Sequence, residues 1–337
     1  LRHWHKVRQL GASLTDRASK ASRLRACSAI LSGGTWRFGM SEDDVRRYVD
    51  ETRVLADELG DSAAMAVALA GYGTHRGMLG DVTAALDLTA EAHGMLNDRM
   101  TLDEIFLVES RGYWLLIGGR LPLALDALER VIGLSGGDPQ IGRGLTGYSP
   151  LIWAEHLMCS ALSQAGRFDE CWSRAERAVR LAREHGAQEN LVWALATPSG
   201  TAYLARGASR IPVPDLRRAC VESAELAEVV GARYSQFLAS YYLATAHFLN
   251  ADYAASEELF TETLTLARAA GTALDWQSFF LAVFADSCLA RGDAEAAIGK
   301  AREGIEFADT GGMWFQGALA RAALVDALVH ANAPEQE

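Results

Sequence analysis

A chain of 337 residues, half of them hydrophobic and only 7 of them proline, has enough apolar side chain to fold and too few breakers to stay disordered. Its 43 acidic residues outweigh 32 basic ones, a net charge of −11 that argues against a nucleic-acid surface, and no apolar run reaches the roughly 18 residues of a membrane span. Leu1 in place of methionine predicts a fragment or processed chain. LRHWHKVRQL lacks the apolar core of a signal peptide, so a cytoplasmic location is expected. In chain order, residues 1–40 read as an irregular N-terminal helical segment, with a short helix over 22–31 broken by Ser32-Gly33-Gly34. Ser41 is an N-cap with Asp44 in the capping-box position, and the helix over 42–59 is expected to bury Val45, Tyr48, Val49, Val54 and Leu55. Residues 41–135 continue as hairpins, 63–77 with 82–96 and 103–118 with 121–134. The glycine-rich stretch 136–150, GGDPQIGRGLTGYSP, is an inter-repeat loop. Hairpins resume over 151–312, and 313–337 holds a capping helix and the tail APEQE.

The stretch 151–186 states the repeating unit. Leu151, Ala154, Leu157, Met158, Ala161, Leu162 and Ala165 recur at steps of three and four, one apolar helix face. Gly166 ends that helix, and Phe168, Cys171, Trp172, Ala175, Ala178, Val179 and Ala182 form a second face ended by Gly186. Neither helix buries its stripe alone, so the hairpin needs neighbours of its own kind. Gly80, Gly119, Gly166, Gly207, Ala251 and Gly292 end the first helices, with gaps of 39, 47, 41, 44 and 41 residues. A period near 40 means an all-α right-handed solenoid of helical hairpins.

With those turn residues at position fifteen, small residues stand at position eight: Gly73, Gly112, Cys159, Gly200, Ala244 and Ala285. They recur at position twenty as Ala85, Ala124, Cys171, Ser256 and Ala297. The repeat resembles the tetratricopeptide family over about residues 40 to 330. ETRVLADELGD over 51–61 and GMLGDVTAALDLTAEAH over 77–93 are similar in style to the C-terminal helical-repeat arm of bacterial signalling ATPases, adenylate cyclase-linked or LuxR-type. The chain has no P-loop, no cyclase aspartates and no DNA-binding hairpin. The tetratricopeptide resemblance implies that first helices line a concave groove. It places Phe106, Glu109 and Tyr113 there, with Trp153, His156, Ser160 and Ser163, then Thr197 and Thr201. Leu238, Tyr241, Thr245 and Phe248 follow, then Phe279 and Asp286. Aromatic rings with a few hydrogen-bonding groups suit a peptide or a small organic ligand; in a tight superhelix the same rings would only fill space.

Other constellations read as bland. Gly142-Arg143-Gly144-Leu145-Thr146-Gly147 spells G-x-G-x-x-G without the strand it requires. His3 and His5 lack a third ligand and read as part of a frayed end, and the five dispersed cysteines read as buried free thiols. No metal, cofactor or catalytic residue is expected, so the chain is not expected to be an enzyme. Pro198 inside a helical pattern is either a kink that adjusts curvature or a distortion that opens a ligand pocket or a hinge. The expected function is a binding and regulatory module, the sensor or scaffold arm of a signalling ATPase or transcription regulator. A free-standing adaptor and a small-molecule sensor are the alternatives. Its partner is a protein, a peptide or a small-molecule effector, not nucleic acid or membrane, and a homodimer is left open.

Overall fold

The computed structural model describes residues 2–95, 101–205 and 212–331. Expectations at Leu96, Gly207, Arg210-Ile211 and the tail lie outside them. Among the described residues are eighteen helices and no strand. The chain opens with α1 (Arg2–Gly11), α2 (Arg17–Gly33), a four-residue α3 (Thr35–Phe38) and α4 (Glu42–Leu59). Two hairpins follow, α5 (Ser62–Met78) with α6 (Val82–Gly94) and α7 (Thr101–Ile117) with α8 (Leu121–Leu134). After the short α9 (Arg143–Thr146) come α10 (Pro150–Gln164) with α11 (Phe168–Glu184) and α12 (Gln188–Leu204) with α13 (Val213–Val230). The last pairs are α14 (Arg233–Leu249) with α15 (Tyr253–Ala270) and α16 (Gln277–Ala290) with α17 (Ala294–Gly311), and α18 (Trp314–Ala331) ends the array.

Local chemistry explains these boundaries. Asp61, Asp81, Ser149 and Asp293 each accept a hydrogen bond from the backbone N–H three residues on, satisfying a donor that a helix start leaves orphaned. The described turn residues all take a left-handed backbone, from Gly80 at φ +97° to Ala251 at +59°, where a methyl group stands in a conformation that favours glycine. Small residues sit where the two helices of a hairpin cross. The thiols of Cys159 and Cys171 are 2.8 Å apart, and a methyl on Gly73 would come within 3.3 Å of the Ala85 carbonyl.

Several segments are more ordered than their sequence suggests. The N-terminal stretch is a helix that docks on α4, where Arg8 pairs with Glu51 and His5 Nδ1 lies 3.0 Å from the Tyr48 hydroxyl. Asp16 caps α2 and starts it earlier than the predicted 22–31. The loop after α8 contains α9 and buries Thr146 and Tyr148. Val54, expected inside, is 57% exposed, since it falls off the stripe of Val45, Val49, Thr52 and Leu55 that faces α2.

The two helix classes differ in a way that reveals the global shape. Second helices such as α11 are amphipathic, burying Cys171, Trp172, Ala175, Ala178 and Ala182 under a charged outer face. First helices α10, α12 and α16 are buried nearly all round. A helix at the inner wall of an open groove would leave one face wet. Here the superhelix closes on itself, so that face is covered from across the interior. The Leu274 N–H donates to the Met78 carbonyl at 3.1 Å, and the Thr272 hydroxyl donates to the Trp36 carbonyl at 2.6 Å. The end of α17 lies against the α5–α6 turn so closely that a methyl on Gly311 would stand 2.2 Å from the Gly80 carbonyl oxygen. No helix among the described residues is long and apolar enough to cross a membrane.

Candidate ligand-binding interior

The interior is built around α3. Two consecutive glycines, Gly33 and Gly34, end α2 and let the chain step inward for one helical turn. That turn inserts Trp36 among Tyr234, Tyr148, Trp153 and Trp193, with ring centroids 5.1, 6.0, 6.2 and 6.2 Å away. Trp153 and Trp193 meet edge to face at 4.3 Å, a geometry that the ring quadrupole favours. Arg37, next in sequence, pairs with Glu189 at the start of α12, with Nε 3.1 Å from Oε1. Ser235 also donates to Glu189 and accepts from the Trp193 indole N–H. A four-residue helix therefore plugs the interior with one large ring and one cation.

A second network joins distant hairpins. Tyr113 of α7 donates to Asp275, which precedes α16, and accepts from the Trp276 indole at 3.0 Å; its hydroxyl is also 3.0 Å from that of Tyr234. Burial pushes the Asp275 carboxyl up to about 7, and the Tyr113 hydroxyl opposes that shift by stabilising the charged form. Glu109, one turn before Tyr113, is 1% exposed, and neither of its oxygens accepts a hydrogen bond of ordinary geometry. Burial pushes it up to about 8, and the nearby Tyr148 hydroxyl holds that rise back only in part. His156 has its Nδ1 2.9 Å from the Trp153 carbonyl, and burial drives it down to about 3, so it is neutral at physiological pH.

The groove residues named from sequence fall into four places. Glu109, Tyr113 and Trp153 share a cavity of about 20 Å³ with Trp36, Trp114 and Tyr148. Ser160, Thr197 and Thr201 border a second, of about 10 Å³, beneath Tyr242, Trp276 and Phe279. Tyr241 and Thr245 pack between helices instead, where Tyr241 stacks on Phe280 at 4.5 Å and Thr245 donates to the Tyr241 carbonyl. Phe248 and Asp286 are half-buried around Tyr203, whose hydroxyl donates to Asp286 at 2.8 Å. Pro198 sits within a continuous α12 and lines a cavity of about 440 Å³ on the outer side, with Ala175, Val179, Leu195 and Leu216.

Sequence reasoning missed Trp36, Arg37, Tyr148, Glu189, Trp193, Tyr234 and Asp275. Periodicity cannot register a helix of four residues, and Tyr148 and Asp275 lie between helices. Only the Gly33-Gly34 break ahead of an aromatic-basic pair marks the plug. No group of three or more His, Cys, Asp and Glu among the described residues is arranged to hold a metal ion.

No family model matches this chain, and no curated protein matches it in sequence. Solved structures do match in fold. NprR in complex with its cognate peptide NprX is 13% identical, with a TM-score of 0.55 over 94% of this chain and 83% of that one. A Rap protein complexed with Competence and Sporulation Factor is 10% identical, with a TM-score of 0.51 over 97% and 96%. A signal transduction ATPase with numerous domains from Pyrococcus horikoshii, which has a tetratricopeptide repeat sensor, is 10% identical, with a TM-score of 0.54; the match covers 94% of this chain and 44% of that one. The likeness is one of fold: this chain is a tetratricopeptide-like α-solenoid.

Proposed function

We propose that this chain is a regulatory binding module whose interior receives a peptide or an extended segment of a partner protein. The observation that carries this reading is the plug. The rings of Tyr148, Trp153, Trp193 and Tyr234 line the interior, and a single turn of helix, α3, between two glycine-containing joints sets Trp36 among them. A ligand that takes the place of Trp36 and Arg37 would compete with closure and shift the chain toward an open superhelix. Two proteins of like fold were crystallised with a peptide or a factor bound, NprR with NprX and Rap with Competence and Sporulation Factor. The likeness to a signalling ATPase that has a tetratricopeptide repeat sensor supports the finer reading, a sensor arm that biases a neighbouring effector domain.

The test is selection of linear peptides from a random library on the full chain, followed by hydrogen exchange with the enriched peptide. Faster exchange in α3 together with protection in α7, α10 and α12 is expected. If no peptide is enriched, or if exchange changes only on the outer face, the reading fails. A second reading, a small-molecule sensor, rests on the outer cavity beside Pro198, whose volume of about 440 Å³ lies within the range of small-ligand pockets. Native mass spectrometry of the purified chain separates the two, because a bound mass of a few hundred daltons favours the sensor.

A further inference from the structure

Glu109 is the anomaly of the interior. A buried carboxyl normally finds donors, since leaving one unpaired costs several kilocalories per mole or raises its pKa. Among the described residues, Glu109 has neither a hydrogen bond of ordinary geometry nor a cation against it, although it is buried on a helix in the middle of the molecule. On the elements packed against α7, His75 of α5 pairs with Glu42, Arg130 of α8 with Glu104, and Glu155 of α10 with Arg174 and Arg177, while His93 of α6 lies near Arg111, Arg130 and Glu104. His156 of α10 is neutral, and Tyr148 ahead of α10 is the titratable group that reaches Glu109. The carboxyl borders a cavity of about 20 Å³, room for roughly one water-sized group, walled by the rings of Trp36, Tyr113, Tyr148 and Trp153. Aromatic faces around a carboxylate attract a compact cation through the ring quadrupole and through charge. The same interior already holds one cation on a carboxylate, Arg37 on Glu189.

We propose that Glu109 with Tyr113, Tyr148 and Trp153 forms a subsite for an alkylammonium group of the bound ligand. The subsite rests on the reading of the interior as the peptide-binding face. In the closed form it has room for the charged head alone, so the alkyl stem enters where Trp36 withdraws. The cation makes Glu109 ionise and releases its proton, because the closed empty form holds this carboxyl up at about 8. Binding therefore strengthens between pH 6 and 8, by up to about 10-fold per unit.

The experiment uses n-butylammonium chloride as probe, followed by tryptophan fluorescence, on the wild type and on Glu109→Gln. Sodium chloride and 1-butanol at equal concentration are the controls. A saturable change in the wild type, weakened about 10-fold or more in Glu109→Gln and absent with both controls, is expected. An equal response in Glu109→Gln or with 1-butanol, or none up to about 100 mM probe, overturns the subsite; that concentration corresponds to about 1.4 kcal/mol of binding at the 1 M standard state. Circular dichroism and thermal melting check that Glu109→Gln is folded. Peptide selection separates this proposal from the reading beneath it. Enriched peptides without a basic group that bind wild type and Glu109→Gln alike sink the subsite and leave peptide binding standing. Probe binding with no enriched peptide does the reverse. Acetylation of an enriched peptide at lysine or at its amino terminus identifies which amine enters, and indifference to both counts against the subsite.

Discussion

Glu109 and Asp275 give the folded state an unusual dependence on pH. Folding raises both carboxyls, Glu109 from an ordinary 4.5 to about 8 and Asp275 from 3.8 to about 7. Between the unfolded and folded values the native state therefore binds more protons than the unfolded chain. As far as these two groups decide it, stability is highest below about pH 4, where the unfolded chain is protonated as well, and it falls as pH rises to about 8. This is opposite to a carboxylate held in a salt bridge. Urea unfolding at pH 5, 7 and 9 should show the fall, and Glu109→Gln should flatten it; a wild type whose midpoint rises over that range would contradict the assignment. Packing at the residue scale is equally specific. A methyl on Gly77 would stand 2.3 Å from the ring of Trp114, which is fully buried, so Gly77→Ala should destabilise by about 1–3 kcal/mol. An unchanged melting temperature would mean that the ring has room to move. Glu109, Tyr113 and Trp153 could be named from repeat position because helical spacing fixes which way a side chain faces. Arg37 and Glu189 could not, since their pairing spans 152 positions and leaves no periodic trace.

At the scale of elements, the hairpins were legible because each is a local object: two apolar stripes, a turn residue and a cap. The plug was not, because four residues are too few for a stripe. Pro198 marks another limit of local reading. Its missing N–H removes the bond to the Ala194 carbonyl, a defect worth roughly 3 kcal/mol in an exposed helix interior. Yet α12 continues to Leu204, held on both sides by α10 and α14 and by α13. Ser199 bridges the carbonyls of Ala196 and Tyr242 at 3.0 and 3.1 Å, tying the helix to α14 directly after the proline. Pro198→Ala should therefore restore a hydrogen bond at the cost of some apolar packing, for a net gain of about 1–2 kcal/mol. A higher urea midpoint at unchanged slope would show it. A lower midpoint would mean that the ring's contacts in the outer cavity outweigh the lost bond.

At the scale of the whole molecule, closure is the property that sequence did not disclose, because its contacts join residues about 200 positions apart. Its one sequence correlate is that helices such as α16 are apolar on every side, which an open groove has no use for. Closure also makes the strongest prediction. Gly311 touches the Gly80 carbonyl, and Gly39, at φ +72°, would place a methyl 2.3 Å from the Ala270 carbonyl. Both contacts lie between ends of the superhelix, outside the hairpins themselves. Alanine at either position must separate backbone from backbone, since a carbonyl cannot turn aside as a side chain can. Repeat arrays draw their stability from neighbour contacts, so the hairpins should survive. Gly311→Ala and Gly39→Ala should keep the helical circular dichroism while small-angle scattering shows a radius of gyration a few ångströms above the roughly 20 Å of a compact chain this long. If closure and ligand compete, the opened variants should also bind an enriched peptide more tightly, because less free energy is spent displacing α3. A larger radius with unchanged affinity would uncouple the two and leave the plug as packing alone. A larger radius with tighter binding would establish the closed superhelix as the resting state that the ligand opens.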